Sequence, residues 1–247
     1  MKYRSSTETS LKILTLLAIE KKYAQYDMPK RVQKDYRTTL RHLQDLEKHG
    51  LIVLSRTEPA KKRGKDRKIY TLTKAGLSVA LQGTEAWAHI DTIAKNYKEM
   101  EPLLFGKWSF FEKKGIKNLI IQRMQAAIMA FSLTQRKTWY KIQEGPSEEA
   151  IKILVETKGK EAAEKALWRH KQIVGDLTDS VLGFNIYLHP KNEGQQAIVE
   201  EEKGILRILS EDQDIKKYLR KQIRFWEESQ KSICVNIHAW KEWFDSL

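Results

Sequence analysis

Between Asp35 and Gly76 the hydrophobic period changes from helix to strand and back, and that alternation limits the fold more than any bulk property. "DYRTTLRHLQDLEKHG" (35–50) spaces its apolar residues as a helix does. Tyr36, Leu40, Leu43 and Leu46 predict one apolar face, and Arg37, Thr38, Arg41, Asp45 and Lys48 the opposite one. Asp35 stands where an N-cap belongs, and Gly50 where a helix ends in a residue with positive φ. "LIVLSRT" (51–57) and "KIYTLT" (68–73) are β-branched and aromatic runs of strand length. Between them lies "PAKKRGKDRK" (59–68), with six basic residues, one acid and Gly64 near the tip, which reads as the loop of a β-hairpin. Thr73 then caps a new helix from about Lys74.

Upstream, "TSLKILTLLAIEKK" (9–22) has apolar residues at 11, 14, 17 and 18, widened by Ile13, Leu16 and Ile19, and predicts a helix capped by Ser10 or Thr7. "YDMPKRVQK" (26–34) predicts a short helix with Asp27 as N-cap, Pro29 in the first turn, and Met28 and Val32 on one face. In this setting "TTLRHLQDLEKHGLI" (38–52) and "YTLTKAG" (70–76), with the basic hairpin between, resemble the recognition helix, following strand and closing strand of MarR- and PadR-like winged helix-turn-helix transcriptional regulators. The resemblance covers about residues 7–76. It departs from the pattern at Tyr23 to Lys34, which lacks the Gly or small residue usual in the helix-turn-helix turn. It implies an N-terminal winged helix (three helices plus a β-hairpin wing) over 1–76; with the helical pattern that follows, read as an all-α helical domain over 77–247, the chain is expected to be mainly α.

The charge distribution agrees with such a head. Residues 1–76 hold 19 Lys+Arg against 8 Asp+Glu, whereas the other 171 residues hold 26 against 24. All seven Trp (87, 108, 139, 168, 226, 240, 243) lie in the second part. A basic head implies an anionic partner, most often nucleic acid, with an anionic membrane surface second. The resemblance implies that helix 35–49 enters the major groove of double-stranded DNA and reads bases through its N-terminal residues, here Arg37, Thr38 and Arg41. His42 and Lys48 are then expected at the backbone. The wing, 59–68, is expected on the backbone or in the minor groove through Lys61, Lys62, Arg63, Lys65, Arg67 and Lys68. About 5 phosphates neutralised per subunit give a log–log salt slope of roughly −4 to −5.

From about Ala75 onward the pattern is helical, with breaks near Pro102, Gly106, Gly115, 144–146, Gly159, 189–194 and 210–214. Helix 115–143 is apolar around most of its circumference and predicts a central position. The last helix, 212–246, aligns Ile215, Leu219, Ile223 and Trp226. Helices 75–100 and 212–246 are the candidates for a homodimer interface, since operators are commonly two-fold. Trp87, Trp108, Phe110, Phe111, Trp139, Tyr140 and Trp168 read first as core; a small-molecule effector pocket is the alternative.

Other chemistry has little support. Glu85/His89 and His238/Glu242 are isolated i,i+4 pairs, with no Cys cluster or His-x-x-x-His beside them, so no metal site is expected. No P-loop, G-x-S-x-G or G-x-G-x-x-G is present, so neither enzymatic activity nor a cofactor is expected. A single cysteine, Cys234, no signal-peptide pattern and no long apolar run lead to the expectation of a cytoplasmic protein without a membrane span. Two other functions fit the same sequence. One is a winged-helix protein–protein interaction module or scaffold in a larger assembly. The other is single-stranded nucleic-acid binding, which requires exposed aromatics among the basic residues; Tyr3, Tyr23, Tyr26, Tyr36 and Tyr70 are the aromatics on offer, with Tyr36 and Tyr70 expected inside.

Overall fold

The computed structural model describes residues 2–59, 66–135, 156, 159, 177–182, 193–229 and 244–246. These are mainly helical, with one small antiparallel sheet. The core is built around α1 (Lys2–Glu20). Ile13, Leu14, Leu16, Leu17 and Ala18 are all buried, because helices close on it from several sides. The helix starts at Lys2, well before the expected caps, so Ser10 lies inside it and its hydroxyl meets His42 Nδ1 at 3.0 Å.

After β1 (Tyr23–Ala24) come α2 (Met28–Val32) and α3 (Tyr36–Lys48). The turn between the two helices is made without glycine: Gln33 itself takes φ +56°, and its N–H donates to Pro29 O. The hairpin expected from the strand pattern is present as β2 (Ile52–Glu58) and β3 (Arg67–Leu72). The sheet order is β1-β3-β2, so the hairpin gains a short third strand that the sequence pattern did not reveal. Tyr23 pairs with Tyr70 and Ala24 with Ile69, while Ile52 pairs with Leu72. An irregularity between Leu54 and Arg56 twists β2 before it leaves the core.

Thr73 caps α4 (Lys74–Ala80) as expected, accepting from Gly76 N at 3.1 Å. The single helix expected over 75–100 is instead three pieces, the others being α5 (Thr84–Ala88) and α6 (Ile90–Tyr97). The break falls at Gly83, where a Cβ would lie 3.1 Å from Thr15 Oγ1 on α1. All three pieces pack on α1, and the Tyr97 hydroxyl donates to Leu17 O at 2.7 Å. The core of the basic head therefore continues past residue 76.

A 3-10 turn (Phe105–Lys107) leads through α7 (Trp108–Lys113) to α8 (Lys117–Gln135), which buries Ile120, Met124 and Ile128. Next come α9 (Leu177–Leu182), α10 (Glu193–Leu209) and α11 (Gln213–Ser229). Arg123 of α8 makes a two-pronged ion pair with Glu202 of α10. The buried Glu101 accepts from Thr178 Oγ1 at 2.7 Å and lies 3.3 Å from Lys74 Nζ, which joins α4 to α9. Among the described residues, no helix is long and apolar enough to cross a membrane.

Candidate nucleic-acid interface

The position of α3 is set at both ends. Asp35 Oδ1 accepts from Thr38 N at 2.8 Å, and the Thr38 contacts hold the Asp35 carboxyl below the usual carboxylate range. At the other end Gly50 takes φ +66°, and Leu51 N donates to Leu46 O at 2.9 Å. Thr39, His42, Leu43 and Leu46 are the buried face. Arg37, Arg41, Gln44 and Lys48 follow one another at three- and four-residue steps along an exposed stripe.

The cations of this region include both paired and unpaired ones, and Lys21, Lys22, Lys30, Lys34 and Lys68 are among those with no ion pair among the described residues. Arg31 is held by Glu20 at 3.2 Å, Arg56 by Glu58 at 2.6 Å, and Arg67 by Asp27. Arg37, Arg41 and Lys48 have no ion-pair partner among the described residues. Thr38 is half-exposed beside them.

Two expected site residues have other tasks. His42 is only 3% exposed and packs beneath α3 against Ser10, so it has no surface for an external phosphate. Burial first, then the nearby Arg41, pushes its imidazole pKa down. Helical spacing from Leu43 and Leu46 could have predicted this, since position 42 borders both. Arg67 lies at the loop end of the hairpin, opposite Glu58, and its ion pair with Asp27 ties β3 to the start of α2. Asp27 correspondingly makes no side-chain cap to α2, contrary to expectation. Lys68 is exposed on β3. Lys61, Lys62, Arg63 and Lys65 lie outside the described residues.

Tyr36 also differs from expectation. It does not join the apolar face; it is 39% exposed and stacks on Tyr26, which is 41% exposed. The rings are 5.4 Å apart and 6° from parallel, and Gln25 Nε2 donates to the Tyr36 hydroxyl at 2.6 Å. Periodicity put Tyr36 above Leu40 and Leu43, but the first turn of α3 extends past the core that those residues cover. Tyr70 is buried as expected, and burial with the nearby Glu47 pushes its hydroxyl up to about 12.

In the other candidate regions the described aromatics pack into or against the core. Phe105 and Phe111 are core, Trp108 packs edge-on to both, and its indole N–H donates to Asp91 at 2.7 Å. Trp87 and Phe110 are half-buried against the same core; Trp139, Tyr140 and Trp168 lie outside the described residues. In the two helical stretches named as dimer candidates, Leu77, Ile93, Ile215, Leu219 and Ile223 are buried within the chain, and residues 230–243 lie outside the described residues. Among the described residues no three His, Cys, Asp or Glu side chains gather as a metal site. Comparison with protein-family models, curated proteins and solved structures finds no match to this chain.

Proposed function

We propose that the chain is a sequence-specific double-stranded DNA-binding transcriptional regulator whose head acts as a winged helix-turn-helix. Helix α3 enters the major groove, where Arg37, Thr38 and Arg41 meet base edges, and Lys48 meets the backbone. The basic hairpin loop 59–68 follows the phosphates or the adjacent minor groove. The observation that carries this reading is the stripe of Arg37, Arg41 and Lys48, left without ion pairs while neighbouring arginines are paired. Arg37 and Arg41, one turn apart, repel each other by about 0.2–0.5 kcal/mol, which a bound anion relieves. The chain acts as a homodimer on a two-fold site, and a mass measurement in solution checks this.

Fluorescence anisotropy with a mixed-sequence duplex at 50 and 200 mM salt tests the reading. The expected result is binding that weakens steeply with salt, and that weakens further when Arg37 and Arg41 are both alanine. Salt-independent binding, or no effect of the double substitution, refutes it. A second reading, a protein-interaction module, draws on Val53 and Leu54, which are exposed on the edge strand β2. It predicts no DNA affinity and a stable complex lost on Leu54→Lys.

A further inference from the structure

The stacked pair Tyr26–Tyr36 is the largest exposed aromatic surface among the described residues of the head, and it sits at the first turn of α3. The Tyr36 hydroxyl is already engaged, accepting from Gln25 Nε2 at 2.6 Å, and the two rings stack. The two flanking carboxylates are also taken: Asp27 by Arg67, and Asp35 by the Thr38 amide. The adjacent Arg37 has no such partner. The pair therefore presents ring carbon to the outside, with Tyr36 set between the Asp35 carboxylate, which its amide bond holds ionised, and the unpaired cation Arg37. Among base edges in the major groove, the C5-methyl of thymine is the apolar group.

We infer that the Tyr26–Tyr36 step is a preformed reader of thymine methyl groups, placed so that a thymine beside the base pair met by Arg37 is recognised through the ring of Tyr36. This inference rests on the DNA reading above. Gln25 and Tyr26 are positioning residues: they hold the Tyr36 ring in one orientation before binding, so its ordering costs nothing at the moment of contact.

The test uses the full chain and the duplex most enriched from a random-sequence pool. Each thymine in that duplex is replaced in turn by deoxyuridine, which keeps base pairing and removes only the methyl. The wild-type chain is expected to lose about fourfold in affinity at one or two positions, the size of one buried methyl each. Tyr36→Phe keeps the ring but loses the Gln25 bond and should keep part of that sensitivity, Tyr36→Ala should abolish it, and Tyr26→Ala should reduce it. Circular dichroism melts confirm that the variants fold. No methyl-sensitive position, or unchanged sensitivity in Tyr36→Ala, overturns the inference while the DNA reading stands. Tighter binding to single-stranded oligonucleotides than to the duplex, lost in Tyr36→Ala, also overturns it, since the pair then stacks on bases. If no duplex is enriched at all, the DNA reading fails and this inference fails with it.

Discussion

Gly76→Ala should damage the junction on which the hairpin stands. A Cβ at position 76 would lie 1.8 Å from Leu51 O and 2.8 Å from Leu51 C, both backbone atoms at the start of β2. Removing that overlap requires α4 and β2 to separate by roughly 1.2 Å or more. The bonds across the junction cannot follow such a shift. Thr73 N donates to Leu51 O at 3.0 Å, and Thr73 Oγ1 donates to Gly50 O at 2.6 Å. Each such bond contributes about 1 kcal/mol net, and overpacking a tight site adds about 1–3 kcal/mol. The expected loss is about 3–5 kcal/mol, a large part of the roughly 5–15 kcal/mol that holds a domain of ordinary stability. Urea unfolding followed by circular dichroism measures it. Gly204→Ala is the control: it lies inside α10 with no atom within 4 Å of the added carbon, and should stabilise by about 0.5–1 kcal/mol. A Gly76→Ala protein within about 0.5 kcal/mol of wild type, less than one such bond, would show that the junction is not close-packed and would sink the reasoning.

Three further outcomes follow from the same geometry. His42 has its pKa lowered in the folded state by burial and by Arg41, so the unfolded chain binds the proton more readily. Its contribution is present above the ordinary imidazole value and is lost as pH falls through it; melting temperature should drop between pH 7 and 5, and less so in His42→Gln. Glu202→Gln leaves the half-buried Arg123 poorly paired and should cost about 2 kcal/mol by urea unfolding, whereas Glu200→Gln, an exposed partner of Lys203, should change stability by less than about 0.5 kcal/mol. Arg67→Ala breaks an exposed pair and should cost under about 1 kcal/mol; since Asp27 already occupies this arginine, the salt dependence of DNA binding should change less than for Arg41→Ala.

The local elements of the head were legible because their signals are local. The Asp35 and Thr73 caps, the end of α3 at Gly50, and the two hairpin strands each depend on residues within a few positions of one another. The unpaired stripe was half legible: spacing put Arg37, Arg41 and Lys48 on one face, but which arginines find a carboxylate depends on pairs such as Asp27 with Arg67, forty residues apart in sequence.

What tertiary packing alone decided has a common physical cause. Periodicity reports which face of a helix is apolar, not how far the partner surface extends along it. Tyr36 therefore escaped the core that its spacing assigned it to. The expected helix over 75–100 is interrupted at Gly83 and again at His89; at Gly83 a Cβ would crowd Thr15 of α1, a contact that joins residues nearly seventy positions apart. Ile215, Leu219 and Ile223 of α11 pack inside the chain, since burying them needs only a neighbouring apolar surface and the fold supplies it. The sequence by itself determined the order of elements and the placement of positive charge; the tertiary structure decided which of those charges, and which two tyrosines, remain free to meet something else.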